Sequence, residues 1–264
     1  MPELPEVQTV VNGLNEAVLP CEVGSICELR PGTLHWGVQP QWPLGLANAT
    51  RRGKFILLHG EGDIVVLAHL RMTGKFTYRE PQGKSVGHIR AIFELTDGRS
   101  LWFVDSRTFG TIEILTAEQA QRRLGGLGRE PLDKSFDTGY LRDTFSQRKA
   151  PVKTLLLRQD LIAGLGNIYA CEILRAAGVD PRREGRSLTR DELTKIVRAT
   201  REVLHNALRC NGTTIDSYRR VDEKTGEFQN MLRVYGKSTC ECGAAIQRTR
   251  QAGRSTWWCP ACQH

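Results

Sequence analysis

The sequence predicts an α+β chain of two domains: an N-terminal β-sandwich with a flanking helix, then a helical half that ends in a metal-held β-hairpin. Three observations carry this. A single helical pattern is followed by a long tract of strand patterns. The glycine cluster Gly125-Gly126-Leu127-Gly128 then punctuates the chain before Pro131. Finally, Cys240, Cys242, Cys259 and Cys262 crowd the C-terminal end, whereas Cys21, Cys27, Cys171 and Cys210 are scattered.

In order, Val7, Val10, Val11, Leu14 and Val18 recur at helical spacing and mark the buried face of a first helix, bounded by Pro20. Phe55–Leu58 and Ile64–Leu70 are apolar strands separated by Gly60-Glu61-Gly62-Asp63. Arg90–Leu95 and Ser100–Val104 flank Thr96-Asp97-Gly98-Arg99, a hairpin signal, and Thr111–Leu115 is a further strand. Many antiparallel strands after one helix suggest a sandwich. Beyond the glycine cluster, Thr189-Arg190-Asp191-Glu192 reads as a capping box. It opens a helix through Leu193, Ile196, Val197, Val203, Leu204 and Leu208 that Asn211-Gly212 stops.

The chain has 264 residues, and Lys plus Arg exceed Asp plus Glu by 37 to 29, a formal charge of +8. That surplus favours a polyanionic partner such as nucleic acid. No apolar run is long enough to cross a membrane and no signal-peptide pattern opens the chain, so an intracellular protein is expected. In a reducing compartment the cysteine cluster reads as a metal site rather than a disulfide framework.

The opening hexapeptide Met1-Pro2-Glu3-Leu4-Pro5-Glu6 carries the most specific chemistry. Removal of Met1, which a small following residue favours, makes Pro2 a terminal secondary amine. An α-amine has a pKa of roughly 7.7–8.0, so a modest downward shift leaves a nucleophile near neutral pH. Its addition to an aldehyde-like carbon gives an iminium, an electron sink. Glu3 and Glu6 add two carboxylates one helical turn apart. The same residues also suit the first turn of any helix.

Three further constellations follow. Cys240-x-Cys242 and Cys259-x-x-Cys262 suit tetrahedral zinc, and the insert between them carries Arg248, Arg250 and Arg254 on a predicted hairpin. Four thiolates leave no open position, so a structural ion is expected, with free thiols as the alternative. Gly164-Leu165-Gly166-Asn167 allows a tight turn into a helix N-terminus, either a phosphate site with Lys153 upstream or a plain joint between helices. In the β half stand Lys54, Met72, and Arg107 with Phe109. Met and Phe at strand ends are ordinarily core residues. Alternatively they are wedges that open a kinked duplex, with an Arg beside them for the unpaired base.

Together and in order, Pro2-Glu3-Leu4-Pro5-Glu6-Val7, Arg51-Arg52-Gly53-Lys54, Gly164-Leu165-Gly166-Asn167-Ile168-Tyr169 and the cysteine cluster resemble the bacterial formamidopyrimidine-DNA glycosylases from end to end. The resemblance implies a β-sandwich catalytic domain (residues 1–130), a helix-two-turn-helix domain (131–232) and a zinc finger with one structural zinc ion (233–264). It implies excision of oxidised purines such as 8-oxoguanine and formamidopyrimidines from a flipped-out nucleotide, then strand cleavage by β,δ-elimination. Pro2 would attack C1′, Glu3 would serve as acid and base, Glu6 would support the site, and Lys54 would bind phosphate near the lesion. Met72, Arg107 and Phe109 would fill the gap in the duplex. Lys153, Asn167, Arg254 and His88 would contact phosphates, and the loop from Asp216 to Phe228 would read the base. Arg71 and Thr108 stand where the family commonly has glycine and arginine. The expected partner is double-stranded DNA with an oxidised base or abasic site. A monomer in the bacterial cytoplasm, bound to nucleoid DNA, is expected. Oxidised pyrimidines as substrates and a non-enzymatic DNA-binding protein are the competing readings.

Overall fold

A computed structural model describes residues 1–79, 87–213 and 227–264. The chain divides into two compact units, Met1–Gly126 with Asn211–Glu227, and Leu127–Cys210 with Phe228–His264.

The first unit opens with helix α1 (Leu4–Ala17), which starts at Glu3 through a reciprocal capping box with Glu6. Val7, Val10, Val11 and Leu14 are buried, as their spacing predicts. Asn15 fixes the helix to the sheet by bonding both ways to the Ala49 backbone, donating to its carbonyl at 2.9 Å and accepting from its N–H at 2.7 Å. Among the described residues nine strands follow: β1 (Cys21–Glu28), β2 (Leu34–Trp36), β3 (Leu44–Arg52), β4 (Phe55–Gly60), β5 (Ile64–His69), β6 (Lys75–Arg79), β7 (Ile89–Leu95), β8 (Ser100–Val104) and β9 (Thr111–Thr116). They form one hydrogen-bonded sheet in the order β2-β9-β5-β4-β3-β1-β7-β8-β6. Only the β2–β9 pair among these is parallel.

Ile56, Val66 and Ile112 from one half of the sheet and Phe76, Phe93 and Phe103 from the other share a single core with α1. The sheet is thus folded over a common apolar interior, the sandwich that the strand patterns predict. β1 and β3 lacked a readable alternation in the sequence. Each contains a register shift, between Val23 and Ser25 and between Leu46 and Asn48, and a bulge breaks the period of two. Helix α2 (Ala117–Leu124) follows β9, capped by Thr116 and Gln119.

The second unit holds α3 (Thr138–Phe145), α4 (Val152–Leu156), α5 (Asn167–Ala177), α6 (Arg190–Arg209) and a hairpin of β10 (Gln247–Gln251) and β11 (Arg254–Trp258). Thr189 and Glu192 close the predicted capping box of α6. Phe145, Leu155, Tyr169, Ile173, Ile196 and Leu204 are buried on the facing sides of these helices. Gly128 does more than punctuate. A Cβ there would lie 2.1 Å from the Leu161 carbonyl carbon, so only glycine allows the Arg129–Ile162 bridge beside it. Among the described residues no helix is long and apolar enough to cross a membrane.

Candidate functional site

The N-terminal cluster is assembled by α1 and the β3–β4 turn. Pro2, Glu3 and Glu6 are buried although the first two precede the helix. Glu6 has its carboxylate filled. One oxygen accepts the Glu3 N–H at 2.8 Å, and the other accepts the Thr213 N–H at 2.8 Å and its hydroxyl at 2.7 Å. Glu6 therefore braces the segment rather than presenting a free acid. Gly212 is tight against it, since a Cβ there would lie 2.9 Å from Glu6 Oε1. The Glu3 carboxylate accepts the Glu6 N–H.

Lys54 follows Gly53, which turns the strands with φ +57°, and it is buried. Arg51 holds that turn, donating to the Gly53 carbonyl at 2.8 Å and to Gln8 of α1 at 3.1 Å. The chain's terminal amine lies within electrostatic reach of Glu3, Lys54, Glu6 and Arg107. Burial pushes that amine below its ordinary range. The two carboxylates pull it back up, and Lys54 and Arg107 push it down again, for a net lowering.

Met72 and Phe109 are 39 % and 52 % exposed, which excludes the reading of both as core residues. They sit on turns that one buried carboxylate joins. Asp105 accepts the Thr73 hydroxyl, the Arg107 N–H at 3.1 Å and the Gly110 N–H at 2.7 Å. The Arg107 guanidinium lies 5.1 Å from the Phe109 ring centre. His88 is exposed and its carbonyl accepts the Asp105 N–H at 3.0 Å. Arg71 and Thr108 adopt φ of +52° and +59°. That left-handed conformation is one that glycine adopts without strain and other residues adopt rarely.

His69 was not singled out from the sequence. It is buried, and its Nδ1 accepts the Arg71 N–H at 3.0 Å, so it holds the Met72 turn as a neutral ring. Burial, then the charges of Arg71, Lys54 and Arg123, lower its pKa to about 3. Asp105 and Thr73 were equally unmarked, because a short polar residue at a strand end is common in any loop.

In the second unit Lys153 is fully buried on α4. Its ammonium donates to Asn167 Oδ1 at 2.6 Å, Thr256 Oγ1 at 2.7 Å and the Ser255 carbonyl at 3.1 Å. Asn167 donates to the same carbonyl at 3.0 Å. The two side chains thus fix β11 at the residue after Arg254, which is exposed beside the Ala252-Gly253 turn. The sequence brought Lys153, Asn167 and Arg254 forward separately; the fold brings them together. The predicted base-reading loop falls largely outside the described residues. Phe228 at its end is buried, 5.7 Å from the Tyr169 ring.

The sulfurs of Cys240, Cys242, Cys259 and Cys262 all lie within 4.8 Å of one another, with Cys242 and Cys259 at 3.6 Å. Four sulfurs about 2.3 Å from a tetrahedral zinc stand roughly 3.8 Å apart, so the set fits that ion. Burial opposes ionisation of Cys240, but the Cys242 N–H and the Arg175 guanidinium outweigh it and lower the thiol to about 6. Hydrogen bonding to Cys242 and burial push Cys262 up to about 12. Full ionisation therefore needs the cation, which releases the remaining protons as it binds. These cysteines hold a structural zinc.

The sandwich, the helical unit with its glycine-asparagine turn and the four-cysteine hairpin each have a counterpart in a family of DNA glycosylases. Family models match on all three counts: the formamidopyrimidine-DNA glycosylase N-terminal domain at residues 1–112, the H2TH domain at 127–219, and a zinc finger found in FPG and IleRS at 241–264. The formamidopyrimidine-DNA glycosylase of Desulfitobacterium hafniense (strain DSM 10664 / DCB-2) is 36 % identical over 273 residues, covering 100 % of both chains. That of Heliobacterium modesticaldum is 38 % identical over 278 residues, again covering both completely. A mutant Lactococcus lactis FPG in complex with a Fapy-dG containing DNA superposes with a TM-score of 0.93 at 32 % identity over all of both chains. The Lactococcus lactis Fpg bound to an abasic site containing DNA gives 0.91 at 31 %, covering 99 % of each. The chain belongs to the formamidopyrimidine-DNA glycosylase family.

Proposed function

We propose that this protein excises oxidised purines from double-stranded DNA through its N-terminal proline and then cleaves the strand at the abasic site. The observation that carries this reading is the buried Pro2 at the head of the chain, beside buried Glu3 and Lys54, where burial depresses the preceding Met1 amine and Arg107 lies within electrostatic reach. With Met1 removed, the Pro2 nitrogen becomes the amine of that cluster. Its lone pair attacks C1′ of the flipped nucleotide, the C1′–base bond breaks, and the base leaves with a proton. Glu3 assists opening of the sugar ring and the proton transfers. The resulting iminium acidifies C2′. Loss of that proton expels the 3′ phosphate, and a second elimination releases the 5′ phosphate, leaving a one-nucleotide gap.

Glu6 positions Glu3 and the start of the following loop. Lys54 neutralises phosphate near the lesion. Met72, Arg107 and Phe109 occupy the duplex, which their exposure permits. Asn167, Arg254 and His88 contact phosphates, while Lys153 adds its charge from beneath and orients Asn167. The three-domain division at residues 130 and 232 and a monomeric working unit belong to the same proposal.

The test is borohydride trapping on a duplex with one 8-oxoguanine opposite cytosine, after N-terminal mass determination. The expected result is a covalent adduct mapping to Pro2, absent in Pro2→Gly, whose base release falls by roughly 10³-fold or more while duplex binding persists. An adduct formed only on an abasic-site duplex would retain the lyase and reject the oxidised-purine assignment. No adduct on either duplex, with Met1 shown to be absent, would favour a DNA-binding protein without this chemistry.

A further inference from the structure

Helix α5 turns three side chains, those of Cys171, Glu172 and Arg175, toward the finger. Cys171 is fully buried and packs in one cluster with Val234, Cys240 and Cys259. Glu172, also buried, accepts the backbone N–H groups of Arg233, Val234 and Tyr235 at 2.8, 3.0 and 2.8 Å, and so fixes the chain that leads into the finger. Arg175 stands one turn beyond Cys171. Its Nη2 donates to Cys240 Sγ at 3.3 Å. Its Nε is buried and has no hydrogen-bond partner among the described residues.

A buried, unmatched guanidinium N–H is unfavourable unless a nearby charge compensates it. The zinc centre supplies that charge. Four thiolates around Zn²⁺ leave about two negative charges in excess, beside an apolar wall formed by Cys171 and Val234. A guanidinium suits this place: it is always protonated, and its planar fork can direct several N–H groups to one anionic surface. Its position in the last turn of α5 also favours a cation.

We propose that Arg175 is the outer-sphere partner of the zinc centre: it hydrogen-bonds the Cys240 thiolate, offsets part of the excess negative charge and latches the finger to α5. Arg175 does not ligate the metal. It sets how firmly Cys240 is held and how electron-rich that sulfur is.

The test uses the zinc-loaded protein and needs no activity assay. Zinc transfer to excess 4-(2-pyridylazo)resorcinol is expected to be about tenfold or more faster in Arg175→Met than in wild type. In protein loaded with Co²⁺, the thiolate-to-cobalt charge-transfer bands of Arg175→Met are expected to move to lower energy, because a thiolate deprived of its N–H donor is a better electron donor. A role limited to packing would leave those bands in place. Wild-type transfer rates with unmoved bands in a folded Arg175→Met protein would overturn the proposal. Should that variant fail to fold, Arg175→Lys and Arg175→Gln carry the same comparison. Faster transfer from the Gln than from the Lys variant supports the proposal, and wild-type rates in both overturn it.

Discussion

The N-terminal cluster and the zinc finger hold their polar groups by different means. Around the terminus, Glu3, Glu6, Lys54 and His69 are buried on top of a large apolar core, and the Glu6 carboxylate joins distant parts of the chain. Glu6 and Thr213 are 207 positions apart. The finger has a small apolar cluster of Cys171, Val234, Cys240 and Cys259, and its ligands come from two short local pairs. The amine nucleophile proposed above needs a desolvated setting, which only an already folded core provides. The basic hairpin is held at its base by the metal set and along β11 by Lys153 and Asn167, so it depends less on an apolar core of its own.

Changing the acid beside the amine should have the largest effect. Glu3→Gln is expected to slow excision by about 10²–10⁴-fold, read by single-turnover kinetics, with damaged-duplex affinity nearly intact. Equal loss of both would mean that Glu3 shapes the site rather than reacting in it. Zinc removal should produce the complementary pattern. Chelation is expected to disorder β10–β11 and weaken duplex binding by roughly 10²-fold, while amide exchange in the sheet stays protected. A finger that stays folded without metal would erase the contrast between the two regions.

Glu6→Gln tests the long-range brace. Three donors converge on that carboxylate, so the loss is expected to be about 2 kcal/mol or more in urea unfolding. His69 gives the same region a pH signature. Its pKa is about 3 in the folded protein against an ordinary 6.5, so the unfolded chain binds more protons between those values. The stabilisation is complete above 6.5 and is lost as pH falls toward 3. By pH 5 the loss is about 2 kcal/mol, and His69→Gln should flatten that slope in pH-dependent melts. The smallest change is expected from Arg254→Ala: affinity lower by about tenfold or less, and a salt slope shallower by about 0.9, measured by titration at several salt concentrations.

Much of this protein was legible in local pattern. The apolar face of α1, the β7–β8 hairpin, the capping box at Thr189 and the four cysteines each depend on residues close in sequence. The bulged strands β1 and β3 were not: β1 buries only Val23 among its eight residues and β3 only Leu44, Leu46 and Ala49 among its nine, whereas β7, also bulged, keeps a clean alternation of Ala91, Phe93 and Leu95. The joining of Lys153, Asn167 and Ser255 was equally hidden, since nothing in the spacing of α4, α5 and β11 specifies which side chains meet.

The sequence by itself determined the groups available: a proline beside two carboxylates at the head of the chain, a basic hairpin and a four-thiolate metal set. Tertiary structure decided which of these groups act and which support. It filled the Glu6 carboxylate with Thr213, tied the Met72 and Phe109 turns to Asp105, buried His69 as a neutral ring and brought Arg175 to Cys240. The physical reason is that residue type fixes a group's reactivity, whereas burial and distant partners fix its protonation and freedom, and those arise only when the chain packs.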